Sequence, residues 1–232
     1  MKNDVVAHFD KDRAATYDEQ WKPLAPMMDA LHLLTRIAFS ALPERASILC
    51  VGAGTGTEIL RLAEAYPGWR FAAVEPAEAM MEVCRQRLEA AGLSDRCDFH
   101  QSYLETLPPG PAFDAATCFL VSHFLTDAAA RGAFFASIAE RLSAGGLLVS
   151  ADLAADRKDP AFDRLMALWL DLIAAAGMLL ENRIRYRQMF GVEVAAQSPQ
   201  EVEALIAENG FEAPTQIYQS VLIRAWLSRR AG

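Results

Sequence analysis

The sequence predicts an α/β fold in which a doubly wound parallel sheet carries helices on both faces. Apolar, strand-like runs alternate with helix-like segments from Ser47 to Asp152. Such alternation gives parallel strands joined by crossover helices. The runs "SILCV", "RFAAVE", "FDAATCFL" and "GLLVSAD" are nearly continuous in apolar residues rather than alternating. Strands buried on both faces read this way. A chain of 232 residues, 53% hydrophobic and 22% charged, is long enough for one domain with a sizeable core.

The elements follow in order. Residues 1–45 read as an amphipathic helical cap. After Pro26, Met27, Leu31, Leu34 and Ala38 share one helical face. The main unit, 46–232, opens with a strand at 47–51 and a helix at 57–66. A second strand (70–75) leads to a helix at 77–91, closed by Gly92. Strands at 97–101 and 113–120 precede a helix at 127–142, with Thr126 as its expected N-cap. The fifth strand is 146–152. A helical insertion, 157–195, begins with a long helix over 160–180. Its stripe is Leu165, Leu168, Trp169, Leu172, Ile173 and Ala176, and Met166, Leu170 and Met178 lie on the other side. Two buried faces are therefore expected. One would pack on the N-terminal helices; the other would serve the core, a substrate cavity or a homodimer contact. In "SPQEVEALIAENG", Ser198 caps, Pro199 opens, Glu201 completes a capping box and Gly210 ends the helix. "PTQIYQ" and "SVLIRAWLSRR" form two adjacent strands.

A net charge of −8 and a pI near 5.1 argue against a broad nucleic-acid footprint. Cys50, Cys84, Cys97 and Cys118 lack C-x-x-C spacing, so they read as buried free thiols of a reducing compartment. The opening "MKNDVVAHFDKDR" has no apolar signal core. The apolar run at 165–180 is shorter than the ~20 residues a membrane span needs and holds Asp171. A cytoplasmic protein without membrane contact is the expectation.

"SILCVGAGTGTEIL" carries the functional signal. A buried strand enters the turn Gly52, Ala53, Gly54, Thr55, Gly56, and a helix leaves it. Ligands bind at such turns, at the carboxyl ends of parallel strands. Glu75 closes the second strand about 20 residues further on, where an acid accepts from ribose hydroxyls. An adenosine-bearing ligand is implied. A pyrophosphate is usually held by G-x-G-x-x-G; here Thr57 takes the third glycine's place, and no phosphate-gripping lysine follows.

The G-x-G-x-G turn resembles motif I of class I S-adenosylmethionine-dependent methyltransferases, where the loop wraps the methionine part of the cofactor. "VEPAEAMMEVCRQRL" is similar to the second motif of that family, "FDAATCFLVSHFL" to the fourth and "ERLSAGGLLVSADL" to the fifth-strand segment. The resemblance runs from about Phe9 to the C-terminus. It implies a Rossmann-like seven-stranded sheet with a reversed last strand. It also implies cofactor contacts from Gly52, Ala53, Gly54, Thr55, Gly56, Glu75, Pro76, Met80, Ser102, Tyr103 and Phe119. S-adenosylmethionine would be the donor and S-adenosylhomocysteine the product. The flanks, "HFDKDRAATYDEQW" and "RYRQMFGVEVAAQSPQEV", resemble the carboxy-S-adenosylmethionine synthase branch, in which an arginine at the place of Arg187 binds the extra carboxylate. The chain departs from these patterns. Cys50 replaces an acid two residues before Gly52, and Tyr103 replaces the acid facing the adenine. Met28 replaces a cofactor-binding tyrosine, and Phe119 an asparagine.

A sulfonium is an excellent leaving group, so methyl transfer needs in-line positioning and exclusion of water. An oxygen or carbon acid also needs a base, and His123 is the best-placed one. Tyr17 and Tyr186 are candidates to orient a substrate; His8, His32 and His100 read as incidental. Arg183, Arg185 and Arg187, alternating with Ile184 and Tyr186, form either a solvated edge or an anion site. Asp152 lacks companion ligands, so no metal is expected. Three functions fit: a small-molecule methyltransferase, an enzyme that carboxylates the cofactor, and a non-catalytic adenosyl-binding regulatory module.

Overall fold

The computed structural model describes residues 9–177 and 181–232, with the side chains of 181–183 also outside the description. Two helices come first, α1 (Lys11–Trp21) and α2 (Ala25–Ala38). Then follow β1 (Ser47–Val51), α3 (Thr57–Ala65), β2 (Arg70–Val74), α4 (Glu78–Ala90), β3 (Cys97–His100), β4 (Phe113–Phe119), α5 (Ala128–Arg141) and β5 (Leu142–Leu153). The chain continues through α6 (Phe162–Ala175), α7 (Glu181–Met189), α8 (Pro199–Glu208), β6 (Thr215–Ser220) and β7 (Ile223–Arg229).

The strands form one seven-stranded sheet in the order β3-β2-β1-β4-β5-β7-β6. β1 to β5 are parallel, and β7 runs antiparallel to both neighbours. The order reverses between β1 and β4, which opens a crevice at their carboxyl ends. Side chains alternate between two cores. Ile48 and Cys50 face α2 and α3, whereas Leu49 and Val51 face α5 and α8. All four cysteines are buried and free, as expected. No helix among the described residues is long and apolar enough to cross a membrane.

Helix ends follow local chemistry. Ser198 and Glu201 form the expected capping box on α8. Ser198→Ala is expected to cost about 1 kcal/mol in urea unfolding. At α5 the cap is Asp127, one residue beyond the expected Thr126, because the Asp127 carboxylate reaches the Ala130 N–H at 2.8 Å.

The 160–180 expectation needs correcting. α6 ends at Ala175, and Gly177 has φ +88°; Met178 lies outside the described residues. The buried stripe is Met166, Trp169, Ile173 and Ala176, while Leu168 is 50% exposed. One face is fully buried rather than two. It packs, as expected, on the N-terminal segment through Leu24, and also on Leu222 and Ile223 beside β7.

Candidate functional site

The turn after β1 is built as its glycines require. Gly52 has φ +69°, and a Cβ there would lie 2.3 Å from Val121 Cγ2. Gly56 has φ +78°, and its Cβ would lie 2.7 Å from Cys84 Sγ. Only glycine combines this backbone with such close approach. Val121 reaches Gly52 because Leu120 turns the chain out of β4 at φ 59°, a conformation costing roughly 1–2 kcal/mol for a branched residue. The Leu120 N–H is held by the Ala151 carbonyl at 2.7 Å.

Glu75 faces this turn. Its Oε2 accepts from the Gly54 N–H at 3.0 Å and its Oε1 from the Ala77 N–H at 2.9 Å. The residue is buried, and burial pushes its pKa up while the two N–H donors act the other way. Each oxygen retains a lone pair. Met80 Cε lies 3.7 Å from the Cβ position of Gly54, beside Ala77, Phe9, Ala14 and Tyr17. Ser102 Oγ is buried with no hydrogen-bond partner among the described residues. Phe119, at the end of β4, lies 5.9 Å from the His32 ring. His32 is buried, and that burial, opposed by Asp29, holds it down at about 4.

α1 roofs the turn through a polar clasp that sequence reading missed. Asp18 accepts from Thr55 Oγ1 at 2.9 Å and pairs with Arg87 at 2.7 Å. Arg87 Nη1 also donates to the Thr55 carbonyl and to Thr57 Oγ1, each at 2.9 Å. Helices α1 and α4 are thus tied across the loop. The pair is partly exposed, so its worth is modest. Asp18→Ala is expected to speed amide exchange in α1 by no more than about five-fold, with exchange in β1 and β4 unchanged. Tyr17 feels Asp18, Glu75 and Tyr186, and these charges add to burial in pushing its phenol up to about 12. At neutral pH it is a hydrogen-bond donor, not a base. Burial raises Tyr186 as well, with Trp169 acting the other way.

At the ends of β4 and β5, His123 Nδ1 lies 3.1 Å from Asp152 Oδ1, which also accepts from the His123 N–H at 2.9 Å. Asp152 Oδ2 accepts from Ser122 Oγ at 2.6 Å and pairs with Arg131 at 3.1 Å. Arg131 is fully buried and reaches Gln197. The Asp152 carboxylate assigns the Nδ1–H tautomer and leaves Nε2 as the basic nitrogen.

Arg187 is half exposed on α7 and ion-paired to Asp163 of α6 at 2.5 Å. The run around it is helical, so Arg185 and Arg187, two apart, point to opposite sides. Arg183 lies among the undescribed side chains, as does His8 among the undescribed residues.

Residues 48–146 match the methyltransferase domain family. An uncharacterized Synechococcus sp. protein is 31% identical over 148 residues, 58% of this chain and 35% of its own length. The chain therefore spans about a third of that relative. Among solved structures, an O-methyltransferase family protein from Burkholderia thailandensis superposes with TM-score 0.70 at 16% identity. That match covers 100% of this chain and 63% of the other. PigF with SAH superposes with TM-score 0.65 at 17% identity, covering 95% of this chain and 60% of that one. Residues 48–146, with the glycine turn after β1 and the acid closing β2, are thus similar to a methyltransferase domain, and the sheet with its reversed β7 has the fold of these solved structures.

Proposed function

We propose that the protein transfers a methyl group from S-adenosylmethionine to an oxygen of a small organic molecule. The observation that carries this is Glu75: its carboxylate is fixed against the glycine turn by two backbone N–H groups, with a lone pair left on each oxygen. The residues fit the donor. Gly52 to Gly56 would take its methionine part, Glu75 its ribose hydroxyls, and Met80 its adenine, with Pro76, Ser102, Tyr103 and Phe119 completing the hollow. The orphaned Ser102 Oγ supplies a polar group that needs a partner. Bound there, the donor supplies a methyl group on a sulfonium that departs as a neutral thioether.

The protein's own part is to orient the acceptor, exclude water and hold a proton. α1, α2 and α6 wall the chamber. His123 Nε2 accepts the acceptor's hydroxyl proton, and Asp152 stabilises the resulting imidazolium. Tyr17 and Tyr186 donate hydrogen bonds that orient the acceptor. Likeness to O-methyltransferase structures supports an oxygen acceptor. The exposed, paired Arg187 gives no support to a carboxylated cofactor.

Calorimetry with S-adenosylhomocysteine tests the donor site. The wild type should bind, and Glu75→Ala should weaken binding by about 10–100-fold, the worth of hydrogen bonds to a charged group. A wild type with affinity for neither donor nor product would overturn the reading. Methyl transfer to a panel of phenols and alcohols tests the chemistry. His123→Asn should lower kcat by about 100-fold with donor affinity unchanged. Donor binding with no transfer to any acceptor would instead favour a regulatory adenosyl-binding module.

A further inference from the structure

We propose that Glu58, in the first turn of α3, receives the ammonium group of the donor's methionine part and so positions the donor at the glycine turn. The inference rests on the donor assignment above and adds a residue that assignment does not use.

Glu58 is an odd residue to find in the core. It is 7% exposed, on the helix face it shares with the buried Ile59, Leu62 and Ala63. Its Oε1 accepts from Thr117 Oγ1 of β4 at 2.7 Å. The Cys50 thiol of β1 adjoins it, Cys118 of β4 and Cys84 of α4 sense its charge, and Glu75 lies close enough to repel it. Arg87 on α4 is committed to Asp18, Thr55 and Thr57. Among the described residues no cation pairs with Glu58. A buried carboxyl without a cation is costly, and a Gln would keep the Thr117 hydrogen bond without that cost.

A cationic ligand accounts for it. Backbone N–H groups of the turn cannot accept from an ammonium, and the Cys50 thiol at the end of β1 brings no anion. Glu75 is engaged by Gly54 and Ala77 and keeps its remaining lone pairs for the ribose. Glu58 is the carboxyl left beneath the turn. Burial, opposed by the Thr117 and Cys50 contacts, pushes its pKa up to about 7. In the free protein the group is thus half ionised near neutrality, and an ammonium beside it holds it ionised.

Two ligands separate this role from general support of the site. S-adenosylhomocysteine carries the amino-acid ammonium; 5′-methylthioadenosine shares the adenosine and thioether but lacks it. In the wild type, the ratio of their affinities should rise roughly five- to ten-fold from pH 6 to pH 7.5 as Glu58 ionises. Glu58→Gln should weaken S-adenosylhomocysteine about ten-fold, leave 5′-methylthioadenosine unchanged and flatten the ratio. Adding Cys50→Asp to Glu58→Gln should restore part of the preference. A ratio independent of pH in the wild type, or equal losses for both ligands in Glu58→Gln, overturns the inference. The wild-type profile decides even if the variants fail to fold. Binding of neither ligand to the wild type overturns the donor assignment itself.

Discussion

Arg131→Met is expected to destabilise the protein by about 3–5 kcal/mol, the penalty for leaving a buried carboxylate without its cation. The side chains of Arg131 and Asp152 are both 0% exposed. Burial pushes the Asp152 carboxyl up, but Arg131, His123 and Ser122 together outweigh it and hold the native pKa below the usual 3.8. The sign of the linkage follows. A carboxyl whose folded pKa is depressed contributes stability that is present above 3.8 and lost as the pH falls through the native value. In Arg131→Met burial dominates, the Asp152 pKa rises, and acid no longer removes that contribution. Urea unfolding at pH 4 and pH 7 checks both parts, because the deficit of the variant should be larger at pH 7. Arg131→Met combined with Asp152→Asn should recover part of the loss, since the uncompensated charge is gone. A single-variant loss under about 1 kcal/mol would mean that water reaches this network.

The same network shows what the sequence could and could not disclose. Strand positions, sheet class and the glycine turn were legible because each depends on local signals: unbroken apolar runs, turn glycines at positive φ, an acid at a strand end. The reversed β7 followed from resemblance and is present in the sheet. The chemistry beneath the turn depends on pairs remote in sequence, such as Asp18 with Arg87 or His123 with Asp152, which no local pattern reports. Periodicity did hold a clue. Arg131 keeps helical step with Phe134, Phe135 and Ile138, and Glu58 with Ile59, Leu62 and Ala63. A charged residue on an apolar stripe is a signal of a buried partner or ligand. On α6, periodicity identified an apolar helix but not the centre of its stripe. Leu24, Phe190 and Leu222 determine which side is covered, so Met166 is buried and Leu168 is not. The run that carries Arg187 is helical, which its alternation with Ile184 and Tyr186 did not disclose.

Glu58→Gln is expected to stabilise the ligand-free protein by about 3 kcal/mol at pH 8 and by almost nothing at pH 4. Burial raises the Glu58 carboxyl from 4.5 to about 7 in the folded protein, and each pKa unit corresponds to about 1.4 kcal/mol. A carboxyl with a raised native pKa is neutral in both states below about 4.5 and costs nothing there. Between 4.5 and 7 the unfolded chain releases its proton and the folded one keeps it, so stability falls as pH rises. Above 7 the cost levels off. Gln keeps an acceptor for Thr117 Oγ1 and removes the titration, so the variant's stability should stay flat across this window. Chemical unfolding of both proteins at pH 4, 6 and 8 gives the curve. Equal stabilities at pH 8 would show that Glu58 is already compensated in the free protein. A stabilised variant that also loses its preference for S-adenosylhomocysteine over 5′-methylthioadenosine ties the cost to the use. The protein then keeps a destabilising carboxyl in its core because the donor's cation repays part of that cost on binding, and donor-bound wild type should lose most of the pH dependence seen in the free protein.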